Sequence, residues 1–201
     1  MKLDNIVKNK KIKTIGVDVD NVLFRIPTIE HINATFNEKY TYDDLTDWEF
    51  RNFPKHIQDE IFYAFRSTDF MCKTKQIWSN FSTLRDWKLE GHKIFAITRR
   101  APNLYSKTAM QLENQYPNIF EDMIFVKPNE SKVKFLKNIG ATIHIDDYDV
   151  LDSVDAGINT WLITNNETKY NWNLRSNYGL NQAESLMYVK GVSRKDDKWL
   201  S

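Results

Sequence analysis

The sequence predicts an α/β fold built on a mostly parallel sheet. Two observations carry this. Five short β-branched or aromatic runs recur along the 201 residues, most of them continuously apolar rather than alternating, as strands buried on both faces are. Between them lie helical patterns that stop at glycine or proline, and alternating strands and helices of this kind build parallel sheets.

In chain order, the predicted strands are residues 12–17 (IKTIGV), 93–97 (KIFAI), 123–126 (MIFV), 142–145 (TIHI) and 160–163 (TWLI). A helix over 74–90 sets Ile77, Phe81, Leu84 and Lys88 on one face and stops at Gly91, a left-handed C-cap. A second, over 103–116, ends at Pro117. A third, over 131–139, opens at Ser131 as N-cap and stops at Gly140, and a fourth, over 149–156, stops at Gly157. Residues 25–73 break the rhythm, because they separate the first strand from the next helix without adding a strand. Ile29, Ile32, Phe36 and Tyr40 fall at helical spacing, as do Ile57, Ile61 and Phe65 after Pro54. This segment reads as an inserted helical cap, with 1–24 and 74–201 as the core domain. The tail from 165 shows one candidate helix near 182–190, stopping at Gly191.

Composition narrows the function classes. Lys plus Arg number 28 against 27 Asp plus Glu, so no basic field argues for a nucleic-acid polymer as partner, and any anion must be held locally. The single cysteine, Cys72, excludes an intramolecular disulfide and a cysteine-rich metal site. The N-terminal MKLDNIVKNKKIKTIG lacks the apolar core of a signal peptide, and no segment reaches the roughly 20 apolar residues that span a bilayer. The expectation is a soluble, cytoplasmic protein with no membrane partner. Oligomeric state is not legible.

Chemistry concentrates at strand ends. The first strand runs into Asp18-Val19-Asp20-Asn21, and two carboxylates flanking one residue there point roughly the same way. Alone, this reads equally as an acidic turn. A second acidic pair, Asp146-Asp147, closes the fourth strand in the same manner. If strands one and four are neighbours, four carboxylates converge beyond the carboxyl ends of the sheet, where ligands bind in open α/β folds. Such a cluster requires a hard cation, and all-oxygen ligands suit magnesium better than zinc. His144, assigned to the opposite strand face, reads as a core or supporting histidine rather than a ligand. Thr98, ending the second strand, and Lys132, opening a helix, lie where a phosphate needs donors.

In order, DVDNVL, AITRR, a lysine opening a helix and HIDD resemble the four motifs of the haloacid-dehalogenase-like superfamily. The resemblance covers about residues 12–164 and is nearest to the 5'(3')-deoxyribonucleotidase group and related nucleotidases. It implies a Rossmann-like sheet of order 3-2-1-4-5 with a small helical cap. It implies a magnesium-dependent phosphomonoesterase working through an aspartyl-phosphate, with a 5'-nucleotidase on (deoxy)nucleoside monophosphates as the first reading. Asp18 would be the nucleophile and Asp20 the acid/base, with the Asp20 carbonyl meeting the metal. Thr98 and Lys132 would hold the phosphate. Asp147 would bind magnesium directly, and Asp146 directly or through water. Asn21 departs from the family's usual glycine; asparagine tolerates left-handed backbone geometry, so the turn can survive. For a nucleobase, Phe24, Trp48 and Phe50 are the candidate stacking residues. The alternatives are a phosphatase of sugar phosphates or nucleic-acid ends, the latter disfavoured by neutral charge, and a non-catalytic binding protein, whose mark would be loss of Asp18 or Asp20.

Overall fold

The structure is a computed structural model that describes residues 11–148, 150–164 and 181–192. Its strands are β1 (Thr14–Val17), β2 (Phe24–Arg25), β3 (Lys75–Gln76), β4 (Lys93–Thr98), β5 (Asp122–Phe125), β6 (Ile143–Asp146), β7 (Asn159–Ile163) and β8 (Asn181–Ala183). Six of these form one sheet in the order β5-β4-β1-β6-β7-β8, every pair parallel. The five predicted strands thus take the expected order 3-2-1-4-5, with β8 added at one edge. The core, led by Ile15, Val17, Ile94, Ile143 and Ile145, lies against this sheet. The continuous apolar runs are explained by burial on both faces.

The helices are α1 (Thr28–Phe36), α2 (Lys55–Ala64), α3 (Thr68–Met71), α4 (Trp78–Leu89), α5 (Tyr105–Gln115), α6 (Lys132–Asn138) and α7 (Leu151–Asp155). Gly91, Gly140 and Gly157, just past α4, α6 and α7, all have positive φ, the left-handed turn that ends a helix without a Cβ penalty. Ser131 caps α6, its hydroxyl accepting from Val133 N at 3.2 Å.

Two expectations change. The helix expected from residue 74 starts at Trp78, because Lys75–Gln76 instead pair antiparallel with Phe24–Arg25 as a two-stranded ribbon. The candidate helix near 182–190 is not formed: Asn181–Ala183 extend along β7, and only Leu186–Tyr188 make a short 3-10 turn. Residues 165–180 and 193–201, the rest of that tail, lie outside the described residues. Helices α1 to α3 lie between the ribbon strands; α1, α2 and the loop joining them have their own apolar cluster, in which Ile29, Ile32, Phe50, Ile57 and Ile61 are buried, whereas Met71 of α3 packs with Ile26 and Leu104. Among the described residues, no helix is long and apolar enough to cross a membrane.

Gly16, in the middle of β1, faces the fully buried Leu136 of α6, and a Cβ at Gly16 would overlap Leu136 Cδ2. The missing side chain lets α6 lie close to β1. Gly16→Ala is therefore expected to destabilise the fold by about 1–3 kcal/mol through overpacking, read as a lower urea midpoint at unchanged m-value.

Candidate active site

The sheet register builds the site. Val17 is level with Ala96 of β4 on one side and Ile145 of β6 on the other, and Asp18 N extends that ladder, donating to Ile145 O at 2.8 Å. Asp18 and Asp146 consequently emerge side by side at the carboxyl end of the sheet, and Thr98 ends the neighbouring strand. Carboxylate oxygens of Asp18, Asp146 and Asp147 lie within 4.8 Å of one another, all three residues buried.

Lys132, the first residue of α6, places its ammonium among them. It donates to Asp18 Oδ1 and, at 2.6 Å, to Asp146 Oδ2. Asp146 also accepts Tyr148 N on Oδ1 at 3.0 Å. Burial alone would raise Asp146, yet Lys132 and the neighbouring His144 hold it well below the usual carboxylate range. Asp18 is pushed up to about 7, first by burial and then by Asp146 and Asp20, with Lys132 opposing. Burial, with Asp18 and Asp146, raises Asp147 well above its ordinary value, against the Asn21 amide that donates to its Oδ2 at 3.0 Å. Burial and both carboxylates act on Lys132 in opposite senses, and the carboxylates win, so the ammonium is held charged.

With all three carboxylates ionised, one ammonium would leave two negative charges uncompensated, and that shortfall together with burial is what raises the proton affinity of Asp18 and Asp147. That donor set, all oxygen and short by two positive charges, fits a hard divalent cation.

The fourth carboxylate, Asp20, lines the same cavity and acts on Asp18, but its side chain stands outside the group of three. Asp20 is held by the guanidinium of Arg100, whose Nε and Nη2 donate to Oδ1 at 3.0 and 2.7 Å and whose Nε also reaches Oδ2 at 3.1 Å. Arg100 was missed in the sequence. The available signal was Thr108 and Gln111, polar residues three apart on the buried face of α5, which both accept from Arg100 Nη1, at 3.2 and 2.8 Å.

Asn21 has φ +58, as the left-handed turn requires. Its main-chain N donates to Phe24 O at 2.7 Å, so that amide is engaged inside the loop. Its side chain joins Asp147 to Ile26 N, which donates to Oδ1 at 3.3 Å. His144 lies on the same strand face as Asp146, not the opposite one: the residues are two apart, and Nε2 is 3.3 Å from Asp146 Oδ2. Burial lowers its affinity for a proton. Thr98 Oγ1 accepts from Arg100 N at 3.2 Å, which leaves the hydroxyl proton to donate.

These groups open into a cavity of about 290 Å3 that also receives Trp48, Phe62, Phe65 and Arg66 from the helical segment, and Arg99 and Tyr148 from the sheet side. Of the three aromatic candidates, only Trp48 lines it. Phe24 is fully buried, edge-on to Tyr116 and under the Arg100 guanidinium at 5.6 Å. Phe50, also fully buried and at φ +56, packs against Phe62 and Phe65, anchoring the loop that presents Trp48. Trp48 stacks on Tyr148, centroids 5.6 Å apart and planes 23° from parallel.

No protein-family profile matches the sequence, and no curated protein is significantly similar to it. Solved structures do share its fold. A candidate phosphoglycolate phosphatase from Lactobacillus delbrueckii superposes with TM-score 0.60 at 12% identity, covering 89% of this chain and 96% of that one. A HAD family hydrolase from Deinococcus radiodurans, with bound phosphate and sodium, gives 0.59 at 12% identity over 88% and 92%. A candidate β-phosphoglucomutase from Thermotoga maritima gives 0.51 at 14% identity over 83% and 100%. At these identities the likeness shows the fold. Several of the structures that share it are named as haloacid-dehalogenase-like hydrolases.

Proposed function

We propose that the protein is a phosphomonoesterase that forms an aspartyl-phosphate on Asp18, with residues 25–73 acting as its cap. The observation that carries the reading is the joining of Asp18, Asp146, Asp147 and Lys132 in one buried cluster at the mouth of a cavity. A scaffold would have no reason to bury three carboxylates around one ammonium, and both acids of the first motif are kept.

Asp18, Asp146 and Asp147 would hold magnesium. Asp146 already accepts three close donors or neighbours, whereas Asp147 accepts one, so Asp147 is the better direct ligand. When bound, magnesium supplies positive charge that lets a dianionic phosphate approach the Asp18 carboxylate. An Asp18 oxygen then attacks phosphorus in line, and the bond to the ester oxygen breaks. Asp20 gives its proton to that oxygen, so the leaving group departs as the alcohol. In the second half, Asp20 takes a proton from water as the water oxygen bonds phosphorus and the bond from phosphorus to the Asp18 oxygen breaks, which releases phosphate, returns Asp18 as a carboxylate and leaves Asp20 protonated for the next turnover. Lys132 compensates charge on the transferring group, and Thr98 donates a hydrogen bond.

The names of the structural neighbours favour small esters such as phosphoglycolate or sugar phosphates over nucleotides. One feature supports a nucleotide: Trp48 and Tyr148, stacked on each other where they line the cavity, are flat rings on which a base could stack by displacing one of them. A phosphate-release panel covering phosphoglycolate, hexose phosphates and nucleoside 5'-monophosphates, with magnesium and with EDTA, tests both levels. Magnesium-dependent release from at least one class is expected. Turnover that survives EDTA removes the metal assignment. If nucleotides are preferred, Trp48→Ala should erase that preference while sparing an aryl phosphate.

A further inference from the structure

We propose that Arg100 is a positioning residue for Asp20, presenting one carboxylate oxygen, Oδ2, to the leaving group; this deepens the reading above and rests on it. The geometry is asymmetric. Oδ1 takes two short donors from the guanidinium, at 2.7 and 3.0 Å, while Oδ2 shares only the Nε hydrogen, at 3.1 Å. An oxygen that faces two N–H groups cannot also carry a proton toward a substrate, so the working oxygen is Oδ2.

The fork itself cannot turn. The Arg100 side chain has no exposed surface, whereas that of Asp20 is 22% exposed toward the cavity. Nη1 is held by Thr108 and Gln111, and Gln111 Nε2 in turn donates to Thr74 Oγ1 at 3.0 Å. Phe24 closes one face of the guanidinium. A planar donor with every edge engaged fixes the plane of the carboxylate it holds. Lysine, with a point charge on a flexible stem, could not.

This makes a claim that a purely structural ion pair does not make. Proton donation matters in proportion to how badly the leaving group needs it. Arg100→Met is therefore expected to lower kcat/KM about 100-fold on an alkyl phosphate, whose alkoxide must be protonated, and less than about tenfold on 4-nitrophenyl phosphate, whose phenolate leaves unaided. In the Asp20→Asn background, the same change should cost nothing further, because the residue acts through Asp20. Equal losses on the two esters, or losses that add in the double variant, would overturn the proposal. If Arg100→Met does not fold, Arg100→Lys keeps the buried charge without the fork and is held to the same pattern. Failure of the underlying reading looks different: wild-type protein releasing no phosphate from either ester takes the proposal down with it.

Discussion

Asp18→Asn is expected to lower kcat by at least about 10,000-fold, because an amide cannot form the acyl-phosphate. The same change should leave the fold intact. Asp18 sits with two other buried carboxylates, and burial together with Asp146 and Asp20 already disfavours its ionised form. A neutral side chain of equal shape relieves that repulsion and can still accept from Lys132. The melting temperature should therefore match or exceed that of wild type. Stopped phosphate release by a protein that melts normally is the expected pair of results. A folded variant with wild-type turnover ends the covalent mechanism.

The second large effect is expected at Lys132. Lys132→Met leaves Asp18 and Asp146 buried without the ammonium that joins them. Breaking one side of a buried ion-pair network typically costs about 3–5 kcal/mol, more than is expected for Gly16→Ala. Where enough folded protein survives, loss of a fixed positive donor beside the transferring group should cost a further 100- to 1,000-fold in kcat. Urea unfolding and phosphate release on the same preparation separate the two. A variant as stable and as active as wild type would show that the ammonium serves neither purpose.

Much of this was readable in the chain because the determinants are local. Continuous runs such as IKTIGV and TIHI mark strands buried on both faces, and Gly91, Gly140 and Gly157 mark helix ends through a backbone geometry only glycine adopts freely. Placing Asp18 and Asp146 at strand ends was enough to bring them together once the strands proved adjacent. What stayed hidden depends on partners distant in sequence. The Phe24–Arg25 and Lys75–Gln76 ribbon is two residues wide and joins segments some 50 positions apart, too short for any period to show. β8 is polar, and only its pairing with Trp161–Ile163 makes it a strand. The distribution of the four acids was likewise decided by Arg100, eighty positions from Asp20, whose burial gives it no exposed or periodic signature. Two of the three aromatic candidates miss the cavity for a related reason: composition does not tell a ring that faces a cavity from one that fills a core, and Phe24 and Phe50 fill cores whereas Trp48 lines the cavity.

The contact between Trp48 and Tyr148 sets a ceiling on selectivity. A flat ligand does not meet a bare indole face. It must displace a ring already there, so its gain is the difference between two stacks. Base stacking is worth about 1–3 kcal/mol and an aromatic pair about 0.5–1.5 kcal/mol, leaving roughly 1 kcal/mol as a typical net. Since 1.4 kcal/mol is a factor of ten, discrimination through this face alone comes to about fivefold at central values. Phosphate esters with no ring at all forgo the exchange, keep the two side chains together and lose little by it. Such a surface favours a generalist over a specialist, with the phosphate rather than the group it carries dominating recognition.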